Sequence, residues 1–147
     1  MSERATYDHF TPLRVRYAEI DAQGIVFNAH YLTYFDITIT EYLRALRYDY
    51  DSMVRTTGLD FHLVKALVEY QRPIVKDAEI EVGITVGRIG TTSLTWVLAI
   101  FAKGDDEVLA TGEIVWVCSK VGMHRSHALP EALVALLPGG KANQAKD

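Results

Sequence analysis

The sequence predicts an α+β domain, a curved antiparallel β-sheet of about five strands wrapped around one long central α-helix. Apolar residues recur at helical spacing from Ala29 to about Tyr48, and four strand-like runs follow that helix in series. A long helix followed by consecutive antiparallel strands buries its wide apolar face most simply when the sheet curls around it.

A first strand is expected over Phe10 to Tyr17, and the stretch Ala18 to Asn28, carrying Asp21 and Gly24, suits a turn. In the helix, Leu32, Phe35, Ile39, Tyr42, Leu43 and Leu46 keep the period, while Tyr31, Tyr34, Ile37 and Ala45 widen the stripe. The segment Ile37-Thr38-Ile39-Thr40 is β-branched and favours a strand locally, but the longer period outweighs it. Asn28 is a good N-cap type, so the helix is expected to start beside it.

Asp49 to Asp60 reads as a polar crossing, followed by strands over Phe61 to Arg72, Glu79 to Arg88, Ser93 to Lys103 and Glu107 to Lys120. In the second of these, Ile80, Val82, Ile84 and Val86 alternate with Glu79, Glu81, Gly83 and Thr85, giving one buried and one wetter face. The next two are apolar on both faces. One helix covers one face of a sheet, so the other face calls for a second subunit, and a homo-oligomer, dimer or dimer of dimers, is expected. Turns at Arg88 to Thr92 and Gly104 to Asp106 make hairpins, and Pro130 to Leu137 reads as a short terminal helix.

At 147 residues with 49% apolar and 23% charged composition, the chain suits one globular domain, expected over 1–138, with a polar tail over 139–147. A net charge of -4 argues against nucleic acid as a partner. The lone Cys118 has no partner for an internal disulfide and fits a reducing cytoplasm. Met1 to His9 lacks the apolar stretch of a signal peptide, and no window reaches the roughly 18 to 20 apolar residues of a membrane span. A cytoplasmic protein without a membrane span is the expectation.

The informative stretch is Tyr17-Ala-Glu-Ile-Asp21-Ala-Gln-Gly24-Ile-Val-Phe-Asn28-Ala-His-Tyr31, which runs directly into the helix. Read physically, a helix start offers free N–H donors and partial positive charge to a developing oxyanion. A carboxylate seven residues earlier, across a Gly-containing turn, can fold back to face the same carbonyl. Asp beside Gly is also a common turn residue that bonds its own backbone. Gly24 suits a positive φ. His30 reads as a partly buried residue of the first helical turn, and Glu19 as an exposed strand-end carboxylate that could otherwise raise the pKa of Asp21.

The spacing of Asp21, Gly24, Ile25, Val26, Phe27, Asn28 and Tyr31 resembles the signature of the 4-hydroxybenzoyl-CoA thioesterase-like family, which includes acyl-CoA thioesterases associated with the Tol-Pal system. The strand order after it agrees over nearly the whole chain. The resemblance implies a hotdog fold, acyl-CoA as substrate, and no metal or prosthetic group, coenzyme A being part of the substrate. It implies that Asp21 is the nucleophile or general base and that the backbone N–H at Asn28 polarises the thioester carbonyl. Many relatives place His where Asn28 stands, and here His30 falls two residues later. Tyr31 is a candidate for lining the acyl pocket. The hairpin Arg88-Ile-Gly90-Thr-Thr-Ser93 resembles one that lies along the pantetheine arm and nucleotide, making Arg88 and Ser93 candidates for substrate binding beside Gly24 and Tyr31.

Two other readings belong to different classes. A hotdog hydratase would carry His with a carboxylate in an Asp-x-Asn-Pro…His or His-Phe-Pro arrangement, which this sequence lacks. A non-catalytic acyl-CoA or acyl-lipid binding module would keep the pocket, but binding alone does not call for a carboxylate next to an apolar acyl chain.

Overall fold

A computed structural model describes residues 3–140 of the chain; the expected polar tail lies outside the described residues beyond position 140. The elements are β1 (His9–Arg14), α1 (His30–Ala45), α2 (Tyr50–Thr57), β2 (Leu59–Tyr70), β3 (Glu79–Ile89), β4 (Ser93–Ala102), β5 (Val108–Lys120) and a short α3 (Glu131–Val134). Single 3₁₀ turns precede β1 at Arg4–Thr6 and follow it at Tyr17–Glu19. The five strands form one antiparallel sheet in the order β1-β3-β4-β5-β2.

The sheet curls around α1, the arrangement of the hotdog fold. Along α1 the residues Tyr31, Tyr34, Phe35, Thr38, Ile39, Tyr42 and Leu43 are buried. They pack on the β3, β4 and β5 side chains Ile80, Val82, Ile84, Leu94, Trp96, Leu98, Ile100 and Ile114. The β-branched run inside the helix holds because Thr38 and Ile39 go into this core, and Thr38 also donates its hydroxyl to the Tyr34 carbonyl at 2.8 Å. Gly112 on β5 makes the close approach possible: a Cβ there would stand 2.2 Å from Phe35 Cε2.

The second face, for which a second subunit was the simplest expected cover, is covered in part by the chain's own N-terminus. Tyr7 and Phe10 close over Ala99 and Phe101 as a small separate cluster. The Arg4 guanidinium caps it, 4.8 Å from the Phe101 ring centre and 2.8 Å from Glu81. The polar crossing is also corrected: residues 50–57 form α2, with the Asp49 carboxylate accepting from the Ser52 N–H at 3.1 Å and Gly58 ending it at φ 72°.

The two sheet edges differ. β1 is short and carries Pro12, whereas β2 spans 12 residues with Leu63, Val64 and Leu67 exposed. Strand direction then sorts the rest of the chain between two ends. The end of β1, the start of β3, the end of β4, the start of β5 and the end of β2 lie together.

Candidate active site

At that end the chain leaves β1 and builds a small hairpin that carries Asp21. The Phe27 N–H donates to the Glu19 carbonyl at 2.9 Å, Ile20 pairs with Val26, and the Asp21 N–H donates to the Ile25 carbonyl at 2.9 Å. The turn closes with the Gly24 N–H on the Asp21 carbonyl at 3.0 Å. Gly24 has φ 78°, which a side chain there would strain, so the reading of that glycine as a conformational requirement holds. Residues 74–76 brace the outer strand, with Val26 N–H on the Ile74 carbonyl at 2.8 Å and Ile25 paired with Val75.

Asp21 is half-buried at the corner of this hairpin. Its Oδ1 accepts from the Gln23 N–H at 2.8 Å, the self-bonding turn anticipated for Asp beside Gly. That bond orients the carboxylate and leaves Oδ2 for other work.

The hairpin delivers the chain to the start of α1. The cap is Ala29, already helical at φ -66° and ψ -25°, and no side chain caps the helix. The expectation that the Asn28 side chain caps it is therefore corrected: a side-chain cap needs an extended residue in that place. His30 donates to the Phe27 carbonyl at 2.9 Å and Tyr31 to the Asn28 carbonyl at 3.4 Å, so the helix opens with a tight turn. Among the described residues, the N–H groups of Asn28 and Ala29 donate to no acceptor of the chain.

Asp21, Asn28 and Tyr31 line one open cleft of about 480 Å³, together with Gln23, Ile25, Val26, Tyr70, Gln71, Arg72 and Pro73. Tyr31 is also core, at 3% exposure, and burial followed by the neighbouring Tyr70 raises its phenol above the ordinary range. His30 is half-buried beside Phe27, ring centres 6.1 Å apart, and is not among the cleft residues.

The far wall of the cleft comes from the end of β2, which the sequence reading did not assign to the site. Tyr70 packs edge-on to Tyr31 at 4.7 Å between ring centres, and its hydroxyl donates to the Asn28 carbonyl at 3.2 Å. Arg72 adds a cation, held 3.3 Å from Glu107. The available signal was an aromatic and an arginine closing an apolar run, but which run's end meets the helix depends on long-range pairing.

Arg88 and Ser93 lie elsewhere. Glu79 pairs with Arg14 beside the site, and Arg88 is nine residues further along β3, roughly 30 Å at ~3.3 Å per residue. Within one chain the Arg88–Ser93 hairpin is at the opposite end of the sheet, closed by the Gly90 N–H on the Ser93 carbonyl at 2.8 Å. Four basic residues divide between the two ends in the same way. Arg72 and Lys76 are at the cleft end; Arg88 and Arg125 are at the other, where His127 N–H meets the Cys118 carbonyl.

Glu19 is another correction. It is not an exposed strand-end residue but a carboxylate at 4% exposure in the turn Tyr17–Glu19, bonded to Arg16 and Tyr34. Burial alone would raise its pKa, but the Arg16 backbone N–H, the Arg16 guanidinium and the Tyr34 hydroxyl outweigh it and hold the carboxyl below the usual range.

A five-stranded antiparallel sheet curled around one long helix is the hotdog fold, and here Asp21 and Asn28 stand on one cleft at the helix start. The chain belongs to the thioesterase superfamily, whose model matches residues 23–109, more than half of it. It is similar to the acyl-CoA thioester hydrolase YbgC of Escherichia coli O6:H1, 28% identical over 124 residues that cover 84% of this chain and 91% of that one. Among solved structures, the PA5185 protein of Pseudomonas aeruginosa PAO1 superposes with a TM-score of 0.81 at 29% identity, covering 92% of each chain. A 1,4-dihydroxy-2-naphthoyl-CoA thioesterase from Synechocystis superposes equally well, TM-score 0.81 over 87% of this chain and 93% of that one, and at 16% identity shares the fold.

Proposed function

We propose that the protein hydrolyses the thioester of an acyl-CoA to the free acid and CoA, with Asp21 as nucleophile or general base and the Asn28 N–H polarising the carbonyl. The observation that carries this reading is that Asp21 and Asn28, seven positions apart, line the same cleft. The name of the YbgC relative supports the substrate class.

The chemistry follows from that pairing. A thioester carbonyl seated at the helix start would accept from the open amides of Asn28 and Ala29, where the partial positive charge of the helix end favours the oxyanion. Asp21 attacking the carbon forms a mixed anhydride and expels the CoA thiolate, and water then opens the anhydride. Asp21 acting as base instead takes a proton from water, whose oxygen attacks the carbonyl carbon; the C–S bond then breaks and the proton passes to the departing CoA sulfur. Both routes use only this carboxylate and these amides, with no metal or prosthetic group. Tyr31 lines the acyl end of the cleft, and Gly24 gives the turn its freedom.

The reading includes a homo-oligomer, dimer or dimer of dimers, supported by the long β2 edge with Leu63, Val64 and Leu67 exposed. Two copies joined antiparallel along β2 would bring the Arg88–Ser93 end of one toward the cleft end of the other. Arg88 and Ser93 would then meet the CoA of the second copy's substrate. The buried, unpaired Cys118 supports a cytoplasmic setting.

The test is thiol release from butyryl-, octanoyl-, palmitoyl- and benzoyl-CoA. Hydrolysis of at least one is expected, and the profile defines the acyl preference. Binding of all four without thiol release would make the protein a binding module instead.

A further inference from the structure

Glu19 is buried and two residues before Asp21, yet it is not among the residues that line the cleft. Its Oε1 accepts from the Arg16 N–H at 2.9 Å and from the Tyr34 hydroxyl at 2.8 Å. Its Oε2 accepts from Arg16 Nε at 2.9 Å and Nη2 at 2.7 Å. Its carbonyl accepts from Phe27, the residue before Asn28, at 2.9 Å. One residue thus ties together the root of the Asp21 hairpin, the approach to the helix start and, through Tyr34, the second turn of α1.

The outer strand of the hairpin is braced independently by residues 74–76, whereas the strand leading into Asp21 meets α1 through the Glu19 carboxylate. An apolar side chain would fill the same space, but a carboxylate with four donors fixes direction as well as distance, because hydrogen bonds weaken steeply off axis. Tyr34 is also one turn along from Tyr31, so its anchor and the cleft wall share a helix face.

We propose that Glu19 is a positioning residue for thioester hydrolysis: it sets the hairpin root against α1 so that the Asp21 carboxylate and the Asn28 amide keep their relative placement. The inference rests on the reading of Asp21 as the reacting carboxylate. Misplacement of about 1 Å can cost on the order of 100-fold in rate, which makes such an anchor visible in kinetics.

The experiment measures kcat and KM for Glu19→Gln, Tyr34→Phe and Asp21→Asn, and for Glu19→Gln combined with Asp21→Asn, on the acyl-CoA of the panel that is hydrolysed fastest. Circular dichroism confirms folding. Glu19→Gln should lower kcat about 10-fold or more with KM within about twofold, and Tyr34→Phe should lower kcat about threefold. On the Asp21→Asn background Glu19→Gln should leave the residual rate within about twofold, because its effect passes through Asp21. A folded Glu19→Gln with wild-type kcat, beside an inactive Asp21→Asn, overturns the inference alone. A loss that adds in full on Asp21→Asn also overturns it. An Asp21→Asn variant that hydrolyses at the wild-type rate removes the reading on which the inference rests. Should Glu19→Gln fail to fold, an unchanged kcat in Tyr34→Phe rejects the proposal and a reduced one supports it.

Discussion

The hydroxyl of Tyr70, at the end of β2, donates to the carbonyl of Asn28, at the start of α1, across 3.2 Å. The bond ties the two walls of the cleft at the residue whose amide is proposed to act. Because Tyr70 is half exposed, its loss costs little stability, about 1 kcal/mol or less. Tyr70→Phe should therefore keep its melting temperature within a few degrees while kcat falls several-fold, as read by thiol release.

The proposal assigns the work at position 28 to the backbone. Asn28→Ala keeps the N–H and should retain activity within about threefold, since the side chain caps nothing. Asn28→Pro lacks the N–H and should lose on the order of 100- to 1000-fold in kcat, the usual effect of removing one oxyanion donor. Steady-state kinetics on the two variants separates side chain from amide.

Core packing offers a sharp test at Gly112. An added Cβ would meet Phe35 at 2.2 Å, with Phe35 fully buried and no flexible end to yield. Gly112→Ala should destabilise by about 1–3 kcal/mol or more, measurable by denaturant unfolding. A neutral result would mean that α1 sits less tightly on β5 than described.

Two sets of groups set the pH range of stability. Glu19 has a carboxyl held below its ordinary value of 4.5, so its contribution is present above that value and lost as pH falls through the folded-state pKa. Burial, then the nearby Asp8, pushes the Tyr42 phenol up to about 12, and burial followed by Glu19 raises Tyr34 as well. Raised phenols contribute fully below the ordinary value of 10 and progressively less as pH rises above it. Melting temperature should fall below about pH 4.5 and again above about pH 10, and Glu19→Gln should flatten the acid limb.

What could be read from the chain follows from how local each signal is. The strict alternation from Glu79 to Val86 placed β3 to within a residue, and the long apolar period placed α1 despite its β-branched run. The hairpin at Asp21 was legible because Asp, Gly and the helix start are neighbours in sequence. By contrast, α2 was missed because its eight residues carry too few apolar positions for a period, although its Asp49 cap and Gly58 stop stood on either side. Tyr70 comes to the cleft, and Arg88 and Ser93 come to the opposite end of the same chain's sheet, through the register of β2 against β5 and β3 against β1. Pairings over tens of residues leave no local mark. Glu19 was misread because Tyr34, whose hydroxyl it accepts from, is fifteen residues away and on another element.

The most direct measurement is thiol release by Asp21→Asn, an isosteric change that keeps a side-chain acceptor for the Gln23 N–H. With folding and CoA affinity unchanged, kcat should fall on the order of 100-fold or more. Hydrolysis by the folded variant within about threefold of wild type would contradict the account and move the chemistry to another residue.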